Sequence, residues 1–137
     1  SFGMSPTFNH VPKKSLNVIN RSLMDATNYI EHSEFYIGLS SGMSWVAHAL
    51  GKPVCMIANF LNEHNEFELG INDYLRITDK SVCNDCWYTN PFDSGDWYWC
   101  PKHKNTDREF ECHKAITPQR VMQELESHNV FKQLLNS

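Results

Sequence analysis

Phe35-Tyr36-Ile37-Gly38-Leu39-Ser40-Ser41-Gly42-Met43-Ser44-Trp45-Val46-Ala47-His48-Ala49-Leu50-Gly51-Lys52-Pro53-Val54-Cys55-Met56-Ile57 reads as strand, tight turn, apolar helix, glycine stop and second strand. Phe35 to Leu39 is a short β-prone run, and Ser40-Ser41-Gly42 carries turn chemistry. Met43 to Leu50 is apolar and helix-compatible, interrupted only by Ser44 and His48. Gly51 lacks the Cβ that penalises a left-handed cap, and Pro53 cannot extend a helix. Val54 to Ala58 is apolar enough for a strand covered on both faces. The stretch predicts a βαβ unit and, with it, an α/β fold.

A turn of small residues between a strand's carboxyl end and a helix's amino end leaves backbone N–H groups without intrahelical partners. Together with the positive end of the helix dipole they attract phosphate. Here the candidate donors are the amides of Ser41, Gly42, Met43 and Ser44, with the Ser40 and Ser41 hydroxyls beside them. The alternative is that a serine merely caps the helix. The turn has neither a Walker lysine nor the full dinucleotide glycine pattern.

Outward from this unit, the 137 residues fit one domain with a sizeable core. A formal net charge of −4 and the lack of a long Lys/Arg run argue against nucleic-acid and anionic-membrane partners. No apolar stretch approaches the roughly 20 residues a membrane-spanning helix needs, and no secretion pattern opens the sequence, so an intracellular setting is expected. Of five cysteines, Cys55 falls inside the second strand, where a thiol behaves as a small apolar group. Cys83, Cys86, Cys100 and Cys112 cluster within thirty residues, which without a secretion signal favours a metal over disulfides.

Ser1 to Asn20 lacks periodicity and reads as an extended approach. Ser22 to His32 reads as a capped helix with Leu23, Ala26 and Ile30 on one side and Tyr29 beside them. The polar segment Asn59 to Asp73 leaves a strand's carboxyl end, where open α/β sheets place ligand loops. His64, Asn65, Glu66 and Glu68 are its candidate ligand groups, and a carboxylate there could hold ribose hydroxyls; the alternative is a solvated acidic loop. Tyr74 to Thr78 alternates as a short strand.

From Ser81 to His113 the composition turns to Cys, Trp, Tyr, Asp and Pro, too poor in aliphatics for a core of its own. Cys83-Asn84-Asp85-Cys86 has the spacing of a metal knuckle, and Cys100 and Cys112 complete a four-thiolate set suited to zinc or a single iron. His103 and His113 are possible substitutes, and a reducible disulfide arrangement or unconnected thiols are the alternatives. Such a closed site serves stability, not catalysis, with Trp87, Trp97, Tyr98 and Trp99 packed around it. Thr117-Pro118 opens a final helix with Val121, Met122 and Leu125 inward. After a break near His128-Asn129, Val130, Phe131, Leu134 and Leu135 continue the pattern.

Over Ile37 to Pro53 the sequence resembles the bacterial autotransporter heptosyltransferases, GT-B enzymes related to the lipopolysaccharide heptosyltransferases. The likeness continues through His64-Asn65-Glu66-Phe67, Cys83-Asn84-Asp85-Cys86-Trp87, Trp99-Cys100-Pro101-Lys102-His103, Thr106-Asp107-Arg108-Glu109-Phe110-Glu111-Cys112 and Ile116-Thr117-Pro118. The resemblance implies an α/β fold: a partial Rossmann-like C-terminal domain, residues 1–137, with an inserted four-cysteine metal finger over 81–113. It implies inverting transfer of a heptose from an ADP-sugar to serine hydroxyls of an autotransporter passenger, in the bacterial cytoplasm. Ser40, Ser41, Gly42, Met43 and Glu66 would bind the donor. Cys83, Cys86, Cys100 and Cys112 would hold one structural iron, with zinc as the alternative. The family's base lies in its N-terminal domain, so no catalytic residue is named and these residues alone are expected not to turn over. Self-association follows if missing strands expose core surface. The competing expectations are a hexosyltransferase of the same architecture and a metal-stapled protein-interaction module.

Overall fold

A computed structural model describes residues 14–16, 21–59, 74–96 and 98–137. The expected approach over Ser1 to Asn20 lies almost wholly outside them, as do His64, Asn65, Glu66, Glu68 and Trp97.

The described elements run α1 (Leu23–Glu31), β1 (Tyr36–Leu39), α2 (Gly42–Ala49), β2 (Val54–Ile57), β3 (Tyr74–Ile77), α3 (Cys86–Thr89), α4 (Glu111–Lys114), α5 (Pro118–Ser127) and α6 (Asn129–Leu135). The strands form a parallel sheet in the order β1-β2-β3. Its register runs from Tyr36↔Val54 to Leu39↔Ile57 on one side and from Val54↔Tyr74 to Ile57↔Ile77 on the other. The expected βαβ unit is present, with α2 as the crossover that parallel pairing requires.

Being central, β2 is covered on both faces, and its alternating side chains feed two cores. Val54 and Met56 pack with Ile30 of α1 and Ala47 of α2, whereas Cys55 packs with Ile77, Val121, Leu125 and Phe131. The Phe35 and Phe131 rings meet edge to face at 5.4 Å, joining the lead-in to β1 to α6.

Local chemistry sets the helix limits. Ser22 Oγ accepts from the Asp25 amide at 3.1 Å while the Asp25 carboxylate accepts from the Ser22 amide at 3.3 Å, a reciprocal cap. At the end of α2, Gly51 adopts φ 74°. Its N–H donates to His48 O and that of Lys52 to Ala47 O, both at 3.0 Å, so these two carbonyls of the last turn are satisfied. Thr117 Oγ1 accepts from the Arg120 amide, Pro118 occupies the first turn, and extended His128 separates α5 from α6.

Two residues expected to face inward do not. Leu23 opens α1 and is 64% exposed, because α1 is buried through Ala26 and Ile30 and Leu23 stands at its first position, beyond the buried pair. Met122 is 45% exposed, because Val121 and Leu125, one helical repeat apart, define the buried line and Met122 falls beside it. No described helix is long and apolar enough to cross a membrane.

Candidate donor-binding turn and metal finger

The Ser40-Ser41-Gly42 turn sits at the carboxyl end of β1, and α2 begins at Gly42. Buried Ser44 ties it together: its Oγ accepts from the Ser41 amide at 3.2 Å and donates to Ser41 O at 2.6 Å, and its own amide donates to Ser41 O at 3.1 Å. Two of the four expected donors, Ser41 and Ser44, are therefore already used. Gly42 and Met43, the first two residues of α2, have amides that no carbonyl of their own helix can reach. The Met43 side chain packs on the core, so it offers the turn its amide alone.

The turn is braced from below. The Tyr36 ring lies over Gly38, where an added Cβ would stand 2.7 Å from the tyrosine oxygen. There the Tyr36 hydroxyl hydrogen-bonds the Ser41 side chain; burial pushes its pKa up and that bond partly offsets the shift. Among the described residues a Cβ on Gly42 would meet nothing within 4 Å, so a bulky side chain can be placed at the head of the turn.

Cys83, Cys86, Cys100 and Cys112, all free thiols, line one cavity of about 500 Å³ with Trp87, Phe92, Trp99 and Phe110. Cys86, Cys100 and Cys112 are buried. Two left-handed residues shape the walls: Asp85 at φ 59° inside the first knuckle and Phe110 at φ 55° before Cys112. That conformation is costly for phenylalanine, and it turns the Phe110 amide toward Cys100 Sγ at 3.5 Å. Burial raises the pKa of Cys83, to about 12, and those of Cys86 and Cys112. Glu111 and then the thiols Cys112 and Cys86 add to the shift at Cys83, Cys100 adds to that at Cys86 and Cys86 to that at Cys112, while Lys102 and the bond with Cys83 offset part of it at Cys86. A cation would relieve that mutual repulsion on binding and release protons. The donor set fits a thiophilic metal.

Beside the cage, Glu111 accepts from Arg108 Nε and NH2, each at 2.7 Å, and from the Cys83 amide at 3.2 Å. Arg108 and the Cys83 amide hold its carboxyl down to about 2. His103 Nε2 lies 3.6 Å from Glu111 Oε1. Cys83, His103 and Glu111 are the one group of possible metal-ligand atoms among the described residues lying within 4.8 Å of one another. The four sulfurs therefore share a cavity without closing to tetrahedral contact.

No protein-family model matches the chain. Curated relatives do. It is 38% identical over 123 residues to the autotransporter heptosyltransferase BAHTCr of Citrobacter rodentium, and 37% identical over 123 residues to TibC of Escherichia coli. Each match takes in 88% of this chain and 29% of the relative. TibC solved with ADP-D-β-D-heptose, as a dodecameric iron-containing heptosyltransferase, superposes with a TM-score of 0.79 at 34% identity, over 93% of this chain and 33% of TibC. The chain resembles part of the autotransporter heptosyltransferases. A further relative, BimC of Burkholderia thailandensis, is 30% identical over 105 residues and is described as an inactive autotransporter heptosyltransferase. The chain spans about 29% of the length of the heptosyltransferases it matches first.

Against the expectations for a heptosyltransferase, Ser40, Ser41, Gly42 and Met43 come together at one sheet end, and the four cysteines come together around one cavity. Glu66 lies outside the described residues. Trp87 and Trp99 do pack at the cavity, their rings 6.3 Å apart, and Tyr98, though 56% exposed, sets its ring 6.5 Å from that of Phe110 in the cavity wall. Sequence reasoning missed the Arg108–Glu111 clamp, although the i,i+3 pair beside Cys112 was a visible signal. It also missed Asn59, which carries no local signature at all.

Proposed function

We propose that this chain is the donor-binding part of a heptosyltransferase that moves a heptose from an ADP-sugar to serine hydroxyls of an autotransporter passenger. The observation that carries it is the Ser40-Ser41-Gly42 turn at a helix N-terminus, where the Gly42 and Met43 amides have no partner among the described residues. TibC, a structural neighbour at 34% identity, is bound to ADP-heptose. In the transfer, negative charge grows on the departing diphosphate. The Gly42 and Met43 amides and the α2 dipole stabilise it, and the Ser40 and Ser41 hydroxyls orient it. Glu66 is the proposed ribose partner. No base is assigned within this chain, and these residues alone are expected to bind donor without turning it over.

Cys83, Cys86, Cys100 and Cys112 would hold one structural iron, as TibC's iron content suggests, with the sulfurs drawing inward on loading. The metal supplies cross-linking of a segment without an aliphatic core. A second arrangement, favoured by the proximity of Cys83, His103 and Glu111, is a mixed site. Arg108 already occupies both oxygens of that carboxylate, which places Glu111 better as support than as ligand. Free thiols and a nucleotide-sugar donor both fit a reducing, cytoplasmic setting. Self-association is proposed from TibC's dodecameric state and from Ile37 and Leu39, exposed on β1. A monomer in sedimentation at high concentration would overturn it.

The test is calorimetric titration of ADP into the metal-loaded chain and into Gly42→Leu. Binding that drops at least about tenfold in the variant, with unchanged melting temperature, supports the donor site. Equal binding by both, or none by either, removes it. Elemental analysis with an absorption spectrum decides the metal: one iron per chain with thiolate charge-transfer bands is expected.

A further inference from the structure

Asn59, just after β2, is 3% exposed and makes four hydrogen bonds among the described residues, to two different regions. Toward the sheet, its Oδ1 accepts from Thr78 Oγ1 and from the Asp79 amide, both at 2.7 Å. Toward the finger, its Nδ2 donates to Cys112 O, and its own carbonyl accepts from the Asp85 amide at 2.9 Å. One side chain and one peptide unit thus grip both cysteine-bearing segments, at Asp85 beside Cys86 and at Cys112 itself. The linkage extends through Asp79 and Thr78 to Arg120 of α5, whose NH2 donates to Thr78 O at 2.9 Å.

Register places this hub where the donor turn is. Leu39 pairs with Ile57, so Ser40 and Ser41 leave β1 beside Ala58 and Asn59 leaving β2. We propose that Asn59 is a positioning residue that couples metal occupancy of the finger to binding of a nucleoside diphosphate at the Ser40–Gly42 turn. A loaded cage fixes Cys112 and Asp85, which fix both sides of Asn59. Asn59 in turn sets the carboxyl end of β2 against that of β1. Without metal, the two finger-side bonds lose their fixed partners and the turn must be ordered by the ligand itself. A buried amide with all these partners satisfied can transmit such order, because each alternative arrangement leaves a polar group unpaired.

The inference rests on the donor-site reading, and its test separates the two. ADP affinity is measured by calorimetry for the loaded and metal-free chain, in wild type, Asn59→Ala and Asn59→Asp. Aspartate keeps the acceptor for Thr78 and Asp79 but loses the donor toward Cys112, so it removes the side-chain link to the finger and leaves the backbone bond from Asp85 in place. Wild type should bind ADP at least about fivefold more tightly when loaded, a typical size for a coupled pair of sites. In either variant, with one metal still bound, that ratio should fall at least about twofold toward one, because the loaded variant descends toward the affinity of the metal-free wild type while the backbone bond from Asp85 remains. Reciprocity requires saturating ADP to tighten metal binding, read by chelator competition, by the same factor in wild type and by correspondingly less in the variants. ADP binding that ignores metal, or a ratio that survives both variants undiminished, overturns the coupling while leaving the donor site standing. A variant that weakens the metal-free form equally also overturns it, since Asn59 then acts on the turn directly. Failure of ADP to bind any form refutes the donor site and the coupling together.

Discussion

Glu111 shows how much one side chain can do without touching either ligand. Its carboxylate joins the Cys83 amide to Arg108, and it sits next to Cys112, so it fastens the first cysteine pair to the last. Supports of this kind are worth about 10–100-fold in metal affinity, and Glu111→Gln should lose that much by chelator competition while still loading one ion. The pH response has a defined sign. Because the folded carboxyl is depressed from 4.5 to about 2, its contribution is present above pH 4.5 and lost as pH falls through about 2. Acid titration of the metal-free chain by circular dichroism should show a flatter limb across that window in Glu111→Gln. Gly38 acts by absence of a side chain. Gly38→Ala sets a methyl against the Tyr36 ring and should cost roughly 1–3 kcal/mol in denaturant melts. Tyr36→Phe should lose only the Ser41 bond, about 0.5–1.5 kcal/mol.

At the scale of elements, the legible parts were those whose chemistry is local. The Phe35–Ile57 stretch carries its strand ends, turn and glycine stop in consecutive residues, and the structure reproduces it within a residue or two. Gly51 was readable for the same reason, and its φ of 74° makes a quantitative expectation. Gly51→Val should lower stability by about 1–2 kcal/mol in thermal melts, because a β-branched residue resists the left-handed cap. The cysteine cluster was readable from spacing. What spacing could not show is which groups support it: Asn59 and Cys112 are 53 residues apart, and a hydrogen bond across that separation leaves no periodicity to read. The misassigned Met122 has a similar origin, since an apolar residue flanking the buried line looks the same in sequence as one upon it.

For the whole molecule, the division between sheet and finger decides what metal removal does. The two cores contain Ile30, Ala47, Val54 and Met56 on one face and Cys55, Ile77, Val121, Leu125 and Phe131 on the other, and none of the four cage cysteines belongs to either. The finger contributes aromatic contacts such as Trp87 with Phe92, ring centroids 4.4 Å apart, but no aliphatic core. Chelation should therefore open the finger as a local unit while β1, β2 and β3 keep their protection. Hydrogen exchange followed by mass spectrometry should show fast exchange over residues 83–113, with a smaller rise at the Ser40–Gly42 turn, in the metal-free chain, and loss of protection across the sheet would show instead that the metal holds the entire fold. Cys55 gives an independent check on the sheet core, because its buried thiol is pushed from 9.0 to about 12. The stabilisation it gives is complete below pH 9 and lost as pH rises toward 12, so the sheet should weaken over that range. In Cys55→Ala that alkaline limb should shrink by the sheet thiol's share, the raised cage thiols such as Cys83 keeping theirs, with the finger's response to chelator unchanged.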